Sequence, residues 1–538
     1  KTLLALSTCT LLVPLARGAP DATFLLSSAE MEASRFGMPR EDLAHVSTNN
    51  NITYLPNGDK FMGRLYDVLT STQAGDFVYA SFWAVTPQEI LKPVGGDDEA
   101  ANRTNRERML VNVLAAAVAR NVTVRLLVSS GSPQDYMGMP KQCELIRKHC
   151  GPETCVMDDR HGHSRLGSSH EKIWMVRLGQ RLIAFSGSMD IFASRWDTAE
   201  HDINSSRWKK QPQDPIFRHP WHGTMYEIEG TAAEDIYMTF LGRWNDPKAP
   251  KSGALTPLGL WVPSQQANFA GYSGSLPVQV VRTFGCRGAR EQRIYQNFAP
   301  YGEYSYAALW FKALRRAQKY VFVADQFMFF AEAMEAVVAA AEHVDFVIIF
   351  TNNQKHSLSL PLGIHASPSV LADAFQYWQH RAVIDALEKR DPSGKLAQKV
   401  HMFNLYKEGL KDDKVSNQIY DHEKTLLIDD ELALVGSTGV EEVGFTNDAE
   451  LSVAIESAEY VPGLRRQMFA EYLQLTPDDA RLDTPQSTHQ ELLRQADDNT
   501  RRVRHFSPVK SRSIAEMALA EAIYAYAEPD GRCTGSAL

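Results

Sequence analysis

The feature that most constrains this chain is a short phrase written twice. His170-Glu171-Lys172 is followed by an apolar run and then Gly187-Ser188, and His422-Glu423-Lys424 is followed by another and then Gly436-Ser437. The two histidines stand 252 positions apart, from 170 to 422. In an extended chain residues i and i+2 share a face, so each His projects beside its own Lys. The runs Ile173–Val176 and Thr425–Ile428 read as buried strands. A lysine supplies fixed positive charge for phosphate oxygens. Of two histidines, one can attack phosphorus while the other protonates the leaving oxygen. The Gly-Ser pairs offer a close backbone approach and a hydroxyl donor, so Ser188 and Ser437 are candidate phosphate donors. One His-x-Lys strand alone is most often a solvated strand, and the duplication argues against that reading here.

Repetition extends beyond the phrase. Leu65–Leu69 leads into Phe77–Trp83, and Ala313–Ala317 leads into Tyr320–Val323, each a helix followed by a strand. Val122–Val128 is matched by Val344–Phe350. Met225–Asn245 and Leu451–Leu473 each read as a strand followed by an amphipathic helix. The expected fold class is α/β, with two pseudo-symmetric α/β/α sandwich halves sharing one active site at their interface. The expected boundaries are a signal peptide at 1–19, a first half at 45–250, a linker at 251–277, a second half at 278–475 and a C-terminal tail at 476–538. The linker is placed by its Gly, Ser and Pro content, and the tail by a short charged stretch before the helical pattern Ile514–Ala520.

The second copy, His422-x-Lys424-x4-Asp429-x6-Gly436-Ser437, resembles the HKD motif of the phospholipase D superfamily. Arg195-Trp196-Asp197-Thr198-Ala199-Glu200-His201 is similar to that family's Arg-Tyr-Asp-Thr-x-x-His stretch. Pro220-Trp221-His222, Ala324-Asp325-Gln326-Phe327 and Asn447-Asp448-Ala449-Glu450 resemble three further family segments. The resemblance spans roughly residues 45 to 475 and is greatest to eukaryotic phospholipase D cores. It implies a two-step phosphodiesterase reaction through a phosphohistidine, with water or an alcohol as acceptor and no metal or other cofactor. The implied catalytic residues are His170, Lys172, His422, Lys424 and Glu450. Ser188, Ser437, Asp429 and Asp197 are expected to bind phosphate or support the site, with Asp429 bracing its own loop.

The repeat is imperfect. Aligning Ile455 with Ile228 sets Glu450 opposite Gly223, and Arg177 stands where the second copy has Asp429. Glu450 is expected to hold His422 in its working tautomer. On this reading the first half lacks two acids that support its histidine in the family, and Asp197 or Asp202 is a candidate substitute. Asp197 also reads as a simple turn or cap residue.

Charge, cysteines and sequons place the chain. The formal net charge is −9, which gives no general pull towards nucleic acid. Arg103–Arg108 and Arg207–Lys210, with Trp208, are local basic patches most simply read as solvated faces. The apolar run Leu3–Ala16, followed by Gly18-Ala19, reads as a secretory signal too short to span a bilayer. Sequons at Asn51, Asn102, Asn121 and Asn204 accord with secretion. Cys143, Cys150 and Cys155 crowd one region, where a local disulfide is expected and a zinc site with His149 is the alternative. His161 and His163 read as solvated loop residues.

The expectation is therefore a secreted, monomeric phospholipase D-like enzyme that hydrolyses or transphosphatidylates glycerophospholipids at a membrane surface. Two alternatives stand beside it: an extracellular or lumenal nuclease of the same superfamily, and a non-catalytic phosphate-binding relative.

Overall fold

Two sheets with the same strand order carry the molecule. The computed structural model describes residues 23–95, 99–131, 138–160, 167–202, 220–246, 273–286, 299–352, 381–411 and 417–506. The expected signal peptide, most of the linker, His161, His163, Trp208, Asn204 and the C-terminal helical pattern lie outside them.

In the first sheet the strands run Ser47–Pro56, Thr224–Glu229, Arg181–Gly187, Ile173–Leu178, Phe77–Phe82, Thr123–Ser129 and Cys155–Asp158. In the second they run Leu276–Phe284, Glu450–Glu456, Leu432–Gly436, Lys424–Ile428, Tyr320–Asp325, Phe346–Phe350 and Val400–Tyr406. Position by position the directions agree. The last three strands of each series are parallel, and the others pair antiparallel. Ser47–Pro56 also pairs with Leu276–Phe284, so the hydrogen bonding continues from one sheet into the other.

The strands are apolar at nearly every position because both faces are covered. Val78, Ala80 and Phe82 pack under the outer helices Asn57–Thr70, Leu110–Ala119 and Met139–Cys150, while Phe77 and Tyr79 turn to the opposite side. The second sheet repeats this. Val321 and Val323 face the helices Ser305–Arg316 and Ala331–Ala340, and Tyr320 and Phe322 face inward. The inward faces of both sheets share one core with the helices Thr231–Trp244 and Tyr460–Leu473. That shared core holds the two halves together and fixes where the His-x-Lys segments meet.

Cys143 and Cys155 form a disulfide, which removes the zinc alternative for this cluster. Two oxidised sulfurs cannot serve as thiolate ligands. Cys150 remains a buried thiol, pushed up to about 11 by burial. His149 sits apart, its Nδ1 against the Leu145 carbonyl on its own helix.

Candidate active site at the seam of the two halves

Each histidine is set by backbone pairing across the seam. The His170 N–H donates to the Ala449 carbonyl at 2.9 Å, and the His422 N–H donates to the His222 carbonyl at 2.7 Å. Ser169 bridges Ala449, while Tyr420 and Asp421 pair in parallel with Trp221 and His222. Each half thus lends its chain to the histidine of the other. The regular strands begin just beyond, at Ile173 and Lys424. The histidines consequently lie at the ends of the sheets where the parallel strands terminate, the usual position for a site in an α/β fold.

The residue after each accepting carbonyl decides what happens to the imidazole. After Ala449 comes Glu450, whose Oε1 lies 2.6 Å from His170 Nδ1. After His222 comes Gly223, which has no side chain to offer. His422 Nδ1 is buried and makes no hydrogen bond among the described residues. Glu450 therefore serves His170, contrary to the expectation that it holds His422. The acid missing at Gly223 deprives His422, not the first-half histidine. The cause is the reciprocal pairing, which hands each half's acid to the other half's ring. A Cβ at Gly223 would come 2.8 Å from Met189 Cγ, so the methionine occupies the space of the absent acid.

His422 is oriented by packing instead. Its ring centroid lies 4.8 Å from that of Trp221, and the Arg195 guanidinium covers Trp221 at 3.7 Å. Asp197 bonds to neither His170 nor His422. Its Oδ2 accepts from the Trp221 N–H at 2.8 Å and pairs with His201 Nδ1 at 2.9 Å. It cannot substitute for the missing acid because its carboxylate is already committed to that pair.

The two serines do not face the cleft. Ser188 Oγ donates to the Thr224 carbonyl and accepts from the Thr224 N–H at 3.0 Å. Ser437 Oγ accepts from the Leu451 N–H at 3.1 Å and donates to Glu450 Oε2. Both are fully buried braces between strands, not phosphate donors. Thr224 and Leu451 are equivalent in this bonding, which independently aligns Gly223 with Glu450. Asp429 accepts backbone N–H groups from Gln318, Lys319 and Tyr320 at 2.7, 2.7 and 2.9 Å. The side chain of its counterpart Arg177 donates to the nearby Gly179 carbonyl and, among the described residues, braces no strand of the neighbouring element.

Both lysines bend back on their histidines. Lys172 Nζ donates to the His170 carbonyl at 2.6 Å, and Lys424 Nζ to the His422 carbonyl at 3.2 Å. Burial lowers both ammonium groups, against the raising pull of Asp190 on Lys172 and of Asp325 and Glu441 on Lys424. Asp190 lies 3.8 Å from Lys172 and is pinned by the N–H groups of Trp83 and Ala84. Asp325 is pinned likewise by Phe327 and Val440. Sequence reading gave these acids no role, because their nearness to the lysines arises only when the strands pair. The middle glutamates of the phrases point the other way. Glu171 meets the buried Arg243, and Glu423 meets His222 Nε2 at 2.9 Å.

The electrostatics favour neutral imidazoles and an anionic ligand. Burial, then Lys172 and Lys424, hold His170 well below the ordinary histidine value. Burial, Lys424 and Arg195 do the same for His422. Burial pushes Glu450 up to about 8, opposed by Lys172, the Ser437 hydroxyl and Lys424. A proton shared between Glu450 and His170 Nδ1 leaves Nε2 with a free lone pair when it resides on nitrogen. Trp83 flanks this ring edge-on at 6.2 Å, and Phe327 is half-buried beside the lysine's acid. The site can therefore bind a phosphate diester, attack it with one imidazole and exchange a proton through the other.

Comparison with known proteins gives the same direction. Residues 136–336 match the Phospholipase D family model. Phospholipase D A of Dictyostelium discoideum is 22% identical over 338 residues, covering 56% of this chain and 25% of that protein. Phospholipase D zeta 2 of Arabidopsis thaliana is 25% identical over 140 residues, covering 22% of this chain and 13% of that protein. The matched stretches thus span a quarter or less of these curated relatives. Among solved structures, phosphatidylserine synthase of Haemophilus influenzae Rd KW20 superposes with a TM-score of 0.52 at 12% identity, covering 92% of this chain and 96% of that one. At that identity the likeness speaks for the fold alone.

Proposed function

We propose, from its match to the Phospholipase D family model over residues 136–336, that the chain is a phosphodiesterase of that superfamily that cleaves glycerophospholipids, with His170 as nucleophile and His422 as acid and base. The observation that carries the assignment is the unequal support of the two rings. Only His170 has a carboxylate at Nδ1, and a nucleophilic imidazole gains most from one, since bonding to phosphorus makes the ring cationic.

In the first step the Nε2 lone pair of His170 bonds to phosphorus. The bond to the head-group oxygen breaks, and that oxygen takes a proton from His422. In the second step His422 removes a proton from water or an alcohol, whose oxygen bonds to phosphorus as the phosphorus–nitrogen bond breaks. Lys172 and Lys424 stand beside the rings to stabilise charge on the phosphoryl oxygens. Water gives hydrolysis, and an alcohol gives transfer.

We place the protein outside the cytosol. The Cys143–Cys155 disulfide supports this, as do the exposed positions of the sequon residues Asn51, Asn102 and Asn121. Among the described residues no helix is long and apolar enough to cross a membrane.

The test is product analysis on phosphatidylcholine vesicles with ethanol, alongside His170→Ala and His422→Ala. Phosphatidic acid or phosphatidylethanol, lost in both variants, is the expected result. Cleavage of a single-stranded oligonucleotide without any lipid product would replace this reading with the nuclease.

A further inference from the structure

A second cluster of histidines lies behind the catalytic pair and takes no part in the reaction above. His201 and His222 come from the first half, and Glu471 comes from the helix Tyr460–Leu473 of the second. Both rings are buried, and their inner nitrogens converge on one oxygen. His201 Nε2 lies 3.2 Å and His222 Nδ1 2.8 Å from Glu471 Oε1. Asn57 adds its Oδ1 3.1 Å from His222 Nδ1, and its Nδ2 lies 2.8 Å from Glu471 Oε1.

The outer nitrogens are held by other carboxylates. His201 Nδ1 donates to Asp197 at 2.9 Å, and His222 Nε2 donates to Glu423 at 2.9 Å. Asp197 is fixed in turn by the N–H groups of Trp221 and Thr198, both at 2.8 Å. A metal-binding histidine commonly has this arrangement, with one nitrogen on the ion and the other donating to a carboxylate that sets the tautomer. The ligand atoms of His201, His222 and Glu471 all lie within 4.8 Å of one another, with 3.2 and 2.8 Å from the two ring nitrogens to Glu471 Oε1, a grouping compact enough for one small ion. Tetrahedral bonds of about 2.0–2.1 Å give an edge of roughly 3.3 Å.

We propose that His201, His222 and Glu471, with the Asn57 amide oxygen as a fourth donor, form a structural site for a divalent transition metal, best matched by zinc. A divalent ion supplies two positive charges to a pocket walled by Asp197, Glu423 and Glu471. Its ligands span both halves. His222 accepts the backbone bond that sets His422, and Glu423 follows His422 directly. The ion thus acts as a staple on the His422 side of the seam, not as a participant in the chemistry.

The test begins with elemental analysis of full-length protein produced and dialysed with zinc present. Roughly one zinc per chain is expected, with an X-ray absorption edge showing imidazole and oxygen ligands and no sulfur. Dipicolinate should lower the melting temperature, and added zinc should restore it. Asp197→Asn should weaken zinc binding by about 10–100-fold, and Glu471→Gln should abolish it. Metal-free protein whose melting temperature ignores both chelator and zinc would overturn the proposal and leave a hydrogen-bonded cluster only. Zinc retained in full by Glu471→Gln would overturn it equally, by placing the ion elsewhere. Because the wild-type melting experiment needs no variant, a variant that fails to fold does not blunt the test.

Discussion

His170 and His422 receive the same backbone bond from the opposite half, yet only one receives a side chain as well. Glu450 grips His170, with Ser437 behind it, while His422 rests on Trp221 and has Met189 in the place of its acid. The main chain of the repeat has kept its symmetry, and the proton chemistry has lost it. Equal backbones thus do not imply equal roles. On the roles proposed above, what separates a nucleophile from an acid is a single carboxylate, present beside His170 and absent beside His422.

The largest test of this contrast is to remove either ring. His170→Ala should abolish turnover, by about 10⁴-fold or more. His422→Ala should trap a phosphohistidine on His170 when the leaving group is a nitrophenolate that needs no proton, seen by intact-protein mass spectrometry. A label on His422 in the His170→Ala variant, with none on His170 in His422→Ala, would reverse the roles.

Next in size is Glu450→Gln, which keeps the shape but favours the wrong tautomer of His170. A fall of about 10²–10⁴-fold in kcat with little change in KM is expected. A variant with nearly full kcat would mean that Glu450 only braces the strands.

The pH profile sharpens the comparison. Both imidazoles titrate below the ordinary histidine value, so both are neutral at pH 7. Attack by His170 needs the neutral ring, but protonation of the leaving group needs a cationic His422. The rate should therefore rise as pH falls from 7 into the acid range, then drop once His170 is protonated too. The two limbs report the coupled pair, not either ring alone. Restoring the acid in Gly223→Asp with Met189→Ala should raise the His422 value and move the optimum up by about one unit. An alkaline optimum in the unmodified enzyme would count against these assignments.

The smallest effect concerns the turn that follows each His-x-Lys strand. Asp429→Ala removes the acceptor for three backbone N–H groups, and about 2 kcal/mol of stability should go with it, measured by urea unfolding. Arg177→Ala at the matching turn of the first half should stay within about 0.5 kcal/mol.

Much of this was legible in the sequence. The period of two placed His170 beside Lys172, and the matched helix and strand patterns foretold two like halves. Failures came where a partner lies in the other half. Glu450 is 28 residues from His422 and 280 from His170, yet it bonds the distant one. No linear pattern reports a pairing that exists only after two sheets meet. Ser188 and Ser437 misled for a related reason. A Gly-Ser pair beside a phosphate motif looks like a ligand, but strand packing turned both hydroxyls to the next strand. Asp197 was likewise claimed by His201, a residue four places on whose own role depends on Glu471 from the far half.

The reciprocal backbone bonds have an evolutionary consequence. A duplicated gene ordinarily lets one copy drift while the other keeps the original task. Here the copy that changes is not the copy that suffers, since a lost acid at Gly223 falls on the histidine of its sister. A change in either copy is therefore felt, and has to be compensated, at the histidine of the other.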